Sequence, residues 1–256
     1  MHSLPRRLRL LALLVSVVPG ALLAADVVTV AVASNFAKTA ADVSAAFTRD
    51  TGVPVRISHG STGKLYAQIM NGAPFDIFLA ADTKRAALLE QSGLVVAGSR
   101  RTYATGSLVL WSNDERLRGK DCREMLEHGD YRHLALANPA TAPYGLAARE
   151  FLAGAGLSEL ASTRAVYGEN IAQTLQFVAT GNATLGFIAK SQTTDPALPE
   201  AACSWPVPVS SHAPLDQQAV LLKRAGRHDG ARLFADFLAT PAARSIIRRH
   251  GYRVAE

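Results

Sequence analysis

The chain is 256 residues long, 48% hydrophobic and 19% charged, with a formal net charge of +6 at pH 7. Arg6, Arg7 and Arg9 supply part of that excess. Without these three it falls from +6 to +3, too mild a basic balance to argue for a nucleic-acid partner. The roughly 230 residues after the first stretch suit two small lobes better than one core.

Residues 1–25 read as an export signal. The three arginines form a positive n-region, Leu10 to Leu23 a short apolar h-region interrupted by Pro19-Gly20, and Ala24-Ala25 small residues for cleavage. The apolar run is too short to span a bilayer comfortably. No cysteine stands at the cleavage point to carry a lipid, so the mature chain is expected to be exported and to start near Asp26.

Val27 to Ala33 is near-continuously apolar, as a strand covered on both faces would be, and ends in Ser34-Asn35-Phe36. The helix expected next carries Phe36, Ala40, Val43 and Phe47 on one face and stops at Thr51-Gly52. A β-branched strand over Val53 to Ile57 leads into the turn Ser58-His59-Gly60-Ser61-Thr62-Gly63-Lys64, and Leu65, Ile69 and Met70 follow at helical spacing. Ala73 to Ala80 is a third strand, and Asp82 caps a helix from Thr83 to about Gln91. Ser107 to Trp111 is another strand. Asn113 to Tyr131 is a polar, charged surface excursion carrying Cys122.

His133 to Ala137 is a strand, and Ala142-Pro143-Tyr144-Gly145 enters a helix to about Leu152. Arg164 to Tyr167 and Leu185 to Ala189 are strands, and between them Asn170 opens a helix over Ile171 to Ala179. Thr193 to Pro208 lacks periodicity and reads as loop, and Gln217 to Leu222 as a strand heading back. Asp229 to Leu238 and Pro241 to His250 are terminal amphipathic helices. Leu233, Phe234, Phe237 and Leu238 are expected to face a core, and Arg244, Arg248 and Arg249 to form a solvated face. Alternating strands and helices argue for α/β architecture with parallel sheets, whose ligands sit at the carboxyl ends of the strands. Ser34, Ser61 and Thr62 lie there.

The turn at 58–64 has the order that builds an anion site: strand, small hydroxyl-rich turn, helix N-terminus with unpaired N–H groups. A nucleotide P-loop is excluded, because G-x-x-x-x-G-K-[ST] requires Gly at 58 and Ser or Thr at 65, where the chain has Ser58 and Leu65. A G-x-S-x-G elbow fails because Gly60 directly precedes Ser61. The competing reading is a plain helix cap by Ser61 or Thr62 with nothing bound. Cys122 and Cys203 can pair in an oxidising compartment, or remain free thiols.

Taken in order, Ala31-Val32-Ala33-Ser34-Asn35-Phe36, Gly60 to Ile69, Asn71 to Asp82, Asn138-Pro139 with Ala142 to Ala147, Leu185-Gly186-Phe187 and Gly251-Tyr252 resemble the molybdate-binding proteins of bacterial ABC transporters, which are type II periplasmic binding proteins. The resemblance covers essentially the whole mature chain. It implies a two-lobed α/β fold, each lobe a mostly parallel sheet flanked by helices, with lobe one at 26–106 plus 216–256, lobe two at 107–215, and hinge crossings near Gly106 and near His212 to Gln217. It implies a periplasmic, monomeric, non-enzymatic receptor that needs no cofactor and delivers molybdate or tungstate to a membrane permease. The family's ligand groups fall on Ser34 and Asn35, Ser61 and Thr62, and the backbone N–H groups of Tyr144 and Ile171. Molybdenum is held only as its oxyanion. Some members carry a tyrosine ligand where this chain has Ala189, so either the site has one donor fewer or Tyr144 or Asn35 supplies it.

A pocket of hydroxyls and helix N-terminal N–H groups offers only donors, which suits a fully deprotonated tetrahedral dianion. Hydrogen phosphate would be left with an unpaired O–H, at a cost of about 1–3 kcal/mol. Sulfate is discriminated by size alone. Lys64 is expected to tune the field from the surface. His59 has no assigned role, and Asp76 and Asp82 are expected to make loop and cap hydrogen bonds. The alternatives are a sulfate or other small-oxyanion receptor on the same fold and, in a different class, a secreted hydrolase using Ser61 or Ser34 as nucleophile. An iron-binding relative is not expected, because the paired tyrosines that such a site needs are not evident in this chain.

Overall fold

The computed structural model describes residues 27–254; the expected export signal at 1–25 lies outside them. Strand β1 (Val28–Ala33) passes through a 3₁₀ turn (Ser34–Phe36) into α1 (Ala37–Thr51). The pairs β2 (Val55–Gly60) with α2 (Thr62–Met70) and β3 (Ile77–Ala80) with α3 (Thr83–Gln91) follow. After β4 (Arg101–Thr105) the chain crosses to β5 (Leu108–Ser112), α4 (Cys122–His128), β6 (Leu134–Ala137), α5 (Pro143–Gly154) and α6 (Ser158–Ser162). It continues through β7 (Ala165–Gly168), α7 (Ile171–Ala179), β8 (Leu185–Ala189) and β9 (Cys203–Pro206), then returns to β10 (Asp216–Leu221), α8 (Asp229–Phe237) and α9 (Pro241–Arg249).

The strands form two five-stranded sheets of the same design, ordered β2-β1-β3-β10-β4 and β7-β6-β8-β5-β9. In the first, β1 pairs in parallel with β2 and β3, and β10 is antiparallel to both neighbours. In the second, β6 is parallel to β7 and β8, and β5 is the reversed strand. Each reversed strand lies next to the crossing from the other lobe. The result is the expected two-lobed type II architecture. The crossings run side by side, with the Gly106 N–H donating to the Leu215 carbonyl at 2.9 Å.

Helices cover both faces of each sheet, which is why the inner strands are apolar on both sides instead of alternating. Val28, Val30 and Val32 of β1 pack with Phe36, Val43 and Phe47 and with Phe234 and Ile247 of the terminal helices. Ala31, on the opposite face, packs with Leu65 and Ile69 of α2 and Leu89 of α3. In the second lobe Leu108, Leu134 and Phe187 face α4 and α5, while Val109, Ala135 and Ile188 face Val178 of α7. Among the described residues no helix is long and apolar enough to cross a membrane.

Four elements depart from the sequence reading. The segment 113–131 contains α4, a polar helix that buries only Cys122 and Leu126 and is capped by Asp121, whose carboxylate accepts the Arg123 N–H at 2.7 Å. Two buried side chains leave little periodicity to detect. The stretch read as loop over 193–208 holds β9, a short edge strand paired only with β5 and tolerant of Pro206 for that reason. Strand β4 and helix α6 also went unread. Leu233 is corrected: it is 52% exposed, whereas Ala231, Phe234 and Leu238, spaced three and four apart, form the buried stripe. Cys122 and Cys203 are joined as a disulfide with their Cα atoms 5.6 Å apart, tying the start of α4 to the start of β9 across 81 residues. A loop of that length corresponds to about 4.5 kcal/mol of stabilisation in the chain-entropy account.

Candidate functional site

Four strand-to-helix junctions meet between the lobes: β1 to α1 and β2 to α2 from the first, β6 to α5 and β7 to α7 from the second. They enclose a small, partly open cavity. Its walls include all six expected ligand-binding residues, Ser34, Asn35, Ser61, Thr62, Tyr144 and Ile171; Ala33, Gly60, Ala142 and Pro143 complete them. No lysine, arginine, histidine or carboxylate is among these lining residues.

Ser61 occupies the N-cap position of α2 but does not cap. The Gly63 N–H, which an N-cap serine would ordinarily accept, donates instead to the Thr141 carbonyl of the second lobe at 2.8 Å. The Ser61 hydroxyl is left buried with no hydrogen-bond partner in the protein. A buried unpaired hydroxyl costs free energy, so its place on the wall of a polar cavity points to a ligand. Thr62 is 1% exposed, and its Oγ1 accepts the Ala81 N–H at 3.2 Å, which leaves its proton to donate.

The second lobe presents backbone. Helix α5 begins with Pro143, which has no N–H, and Ala142 supplies no side-chain cap, so Tyr144 carries the first donor of that helix. Gly145 lets α5 come this close: a Cβ there would lie 2.1 Å from the Ala137 carbonyl oxygen. At α7 the Asn170 carboxamide oxygen accepts the N–H groups of Ala172 and Gln173 at 2.9 and 3.1 Å. The cap thereby satisfies the second and third donors and leaves the first, Ile171, to the cavity. Gln192 fixes Ile171 from behind, donating to its carbonyl at 3.0 Å while accepting the Ala189 N–H at 2.9 Å.

Both candidate substitutes for the family tyrosine have their side-chain polar groups bonded within the protein. The Asn35 carboxamide donates to Gln217 Oε1 at 3.0 Å and to the Tyr252 hydroxyl at 2.9 Å. The Tyr144 hydroxyl accepts from Gln217 Nε2 at 3.3 Å. Burial pushes the Tyr103 and Tyr144 phenols well above their ordinary range and Tyr252 up to about 12, so all three stay neutral in this network.

Other bonds hold the lobes together around the cavity. Lys64 pairs with Glu169 at 2.7 Å, Lys38 with Asp195, and an Arg85 guanidinium nitrogen donates to the Ala140 carbonyl at 2.8 Å. Lys64 is therefore a cross-lobe partner at the surface and no part of the wall. His59 is exposed. Asp82 caps α3 through the Arg85 N–H at 2.9 Å, and Asp76 accepts from the Thr29 N–H and hydroxyl at 2.8 and 2.7 Å, so both acids serve the fold. Sequence reasoning did not assign functional roles to Gln192 and Gln217: Gln192 lies in a polar 3₁₀ turn (Lys190–Thr194) and Gln217 between Asp216 and Gln218, so neither stands out locally.

The chain matches the family of bacterial extracellular solute-binding proteins over residues 28–253. It is 45% identical over 225 residues to the molybdate-binding protein ModA of Azotobacter vinelandii, covering 88% of this chain and 89% of that one. It is 42% identical over 254 residues to ModA of Rhodobacter capsulatus, covering 98% and 99%. The structure of the periplasmic molybdate-binding protein of Azotobacter vinelandii superposes with a TM-score of 0.84 at 36% identity, over 90% of this chain and all of that one. The sulfate-binding protein SubI of Mycobacterium tuberculosis, at TM-score 0.72 and 14% identity over 90% of this chain and 87% of that one, shares the fold.

Proposed function

The chain belongs to the family of bacterial extracellular solute-binding proteins, and we propose that within it this protein is a periplasmic receptor for molybdate, delivering the oxyanion to the membrane permease of an ABC importer. The observation that supports the reading is the make-up of the cavity wall: the hydroxyl-bearing Ser34, Ser61 and Thr62 and, at helix starts, Asn35, Tyr144 and Ile171, among them a buried Ser61 hydroxyl with no protein partner. Helix N-termini converge there from both lobes, each favouring an anion by about 0.3–2 kcal/mol. Such a site offers a tetrahedral dianion donors on every side and no carboxylate to accept the proton of a hydrogen phosphate.

Tungstate matches molybdate in charge and shape and binds comparably in this reading. Sulfate has the same charge and is rejected only because it is smaller. The site carries one side-chain donor fewer than relatives with tyrosine at the Ala189 position. Binding rather than catalysis is supported by the wall itself, since a nucleophilic Ser34 or Ser61 needs a general base and no histidine or carboxylate lines the cavity. The lobes at 26–106 plus 216–256 and at 107–215 close on the anion by hinge motion about the paired crossings. The protein works as a monomer and needs no cofactor.

Thermal unfolding of the mature chain with molybdate, tungstate, sulfate and phosphate at one low concentration tests the assignment. At a hundredfold excess over Kd a native-state ligand adds about 2.7 kcal/mol, roughly 5–10 °C in Tm for a chain of this size. Shifts with molybdate and tungstate alone are expected. A shift with sulfate instead would make this a sulfate receptor on the same fold.

A further inference from the structure

Behind the cavity, on the hinge side, lies a cluster of six buried polar side chains that no assigned ligand contact uses: Asn35, Tyr103, Tyr144, Ser191, Gln217 and Tyr252. Gln217, on β10, is fully buried at its centre. Its Oε1 accepts from Asn35 Nδ2 and from the Tyr103 hydroxyl, both at 3.0 Å, and its Nε2 donates to the Tyr144 hydroxyl at 3.3 Å. A second set of bonds joins the same turn to the other lobe: the Ser191 hydroxyl donates to the Asn35 carbonyl at 2.9 Å and lies 2.9 Å from the Tyr252 hydroxyl.

Two of the residues that Gln217 holds are walls of the cavity from opposite lobes. Asn35 belongs to the first-lobe turn after β1, and Tyr144 to the second-lobe helix α5. Each lines the cavity and has a polar side-chain atom bonded to Gln217. The Tyr144 hydroxyl reaches the first crossing itself. A Cβ at Gly106 would lie 1.9 Å from it and 2.9 Å from Gln217 Nε2, so the crossing has no side chain where the hydroxyl docks. Tyr144 and Gln217 sit in different lobes, so their bond ties the lobes together beside the paired crossings.

We propose that Gln217 is the positioning residue that brings the two halves of the anion site into register, its carboxamide holding Asn35 with its oxygen and Tyr144 with its nitrogen so that the donors of both lobes converge only in the closed form. The proposal rests on the reading of the cavity as an oxyanion site. It requires both polarities of the amide. Methionine, of similar length, makes none of these bonds. A protonated carboxyl reproduces all three, its carbonyl accepting and its O–H donating to Tyr144, whereas a carboxylate has no donor for Tyr144 and sets a negative charge beside the anion.

The test is molybdate titration of the mature protein and of Gln217→Met and Gln217→Glu, from about pH 5.5 to about pH 9, the span in which a buried glutamate titrates. The titratable side chains facing this position are Tyr103, Tyr144 and Tyr252, all kept neutral by burial in that range; Asp216, next along β10, points to the Thr105 hydroxyl at 2.7 Å. Gln217→Met is expected to bind at least about tenfold more weakly, through faster dissociation, and to lose part of the ligand-induced compaction seen by small-angle scattering. Gln217→Glu is expected to bind like the parent at the acid end and about tenfold or more weakly at the alkaline end, relative to the parent's own profile. Where Gln217→Met fails to fold, that pH profile decides alone. A parent that binds molybdate, with Gln217→Glu following the parent's profile and any folded Gln217→Met binding within twofold, would overturn the positioning role. A parent that binds no molybdate would overturn the oxyanion reading beneath it.

Discussion

The Thr62 hydroxyl oxygen accepts the backbone N–H of Ala81 at 3.2 Å, locking the first residue of α2 to the end of β3. The bond does two things at once. It satisfies a buried amide at the strand end, and it turns the hydroxyl proton away from Ala81 and leaves it to donate elsewhere.

Thr62→Val keeps the shape and removes both roles. Molybdate affinity should fall by roughly ten- to a hundredfold, the equivalent of about 1.5–3 kcal/mol for a hydrogen bond to a charged ligand. The free protein should also lose about 1–3 kcal/mol, because the Ala81 N–H is orphaned. Thr62→Ser should restore both in titration calorimetry and urea unfolding; unchanged affinity in Thr62→Val would remove Thr62 from the site.

Ser61 predicts opposite signs for stability and binding. Its hydroxyl makes no bond within the protein and caps nothing, so Ser61→Ala should leave the free protein unchanged or more stable by up to about 1 kcal/mol. The same change should weaken molybdate by about tenfold or more. Melting curves with and without molybdate measure both; equal ligand shifts in parent and variant would show that the hydroxyl faces no ligand.

Asn170 separates helix capping from anion binding. Aspartate caps as well as asparagine, so Asn170→Asp should unfold at nearly the parent's urea midpoint. Its added carboxylate would stand one residue from the Ile171 N–H and should cost tenfold or more in molybdate affinity through like-charge repulsion. Asn170→Ala should instead lose about 1 kcal/mol of stability with the cap. Parent-like affinity in Asn170→Asp would place the anion away from the start of α7.

The buried tyrosines set an alkaline limit. Their folded-state pKa values lie above the unfolded value near 10, Tyr252 at about 12. The stability this contributes is complete below about pH 10 and is lost as pH rises through the folded values. Urea-unfolding free energy should therefore decline above about pH 10, and native tyrosinate absorbance should lag that of the unfolded chain. Coincident titrations of the native and unfolded chains would mean that the network behind the cavity is open to water.

Much of the fold was readable because its signals are local. Helix α3 and helix α7 have the limits that Asp82 and Asn170 announce, since a cap is a bond between neighbours in sequence. The apolar run of β1 declares a strand covered on both faces. Ser34, Ser61 and Thr62 were reached at strand-to-helix junctions, where small residues and hydroxyls precede a helix; Asn35, Tyr144 and Ile171 were reached through the family resemblance. Strand β9 and helix α4 were missed because each draws its stability from one distant partner, β5 or the second-lobe core, and carries too few buried side chains to show a period. Leu233 was misplaced because hydrophobicity alone does not say which side of an apolar stripe a residue falls on.

The sequence by itself determined the order of strands and helices, the class of fold, and the presence of hydroxyls and free helix N-termini at four junctions, because backbone propensity and capping depend on residues a few positions apart. Only the tertiary structure decided which of those donors are available. Gly63 gives its N–H to Thr141 in the other lobe and so frees Ser61, and Gln217 draws the polar side-chain atoms of Asn35 and Tyr144 to itself. The bonds of Gly63 and Gln217 join atoms from segments far apart in the chain. Their geometry exists only once both lobes are packed, so no pattern in the order of residues encodes it.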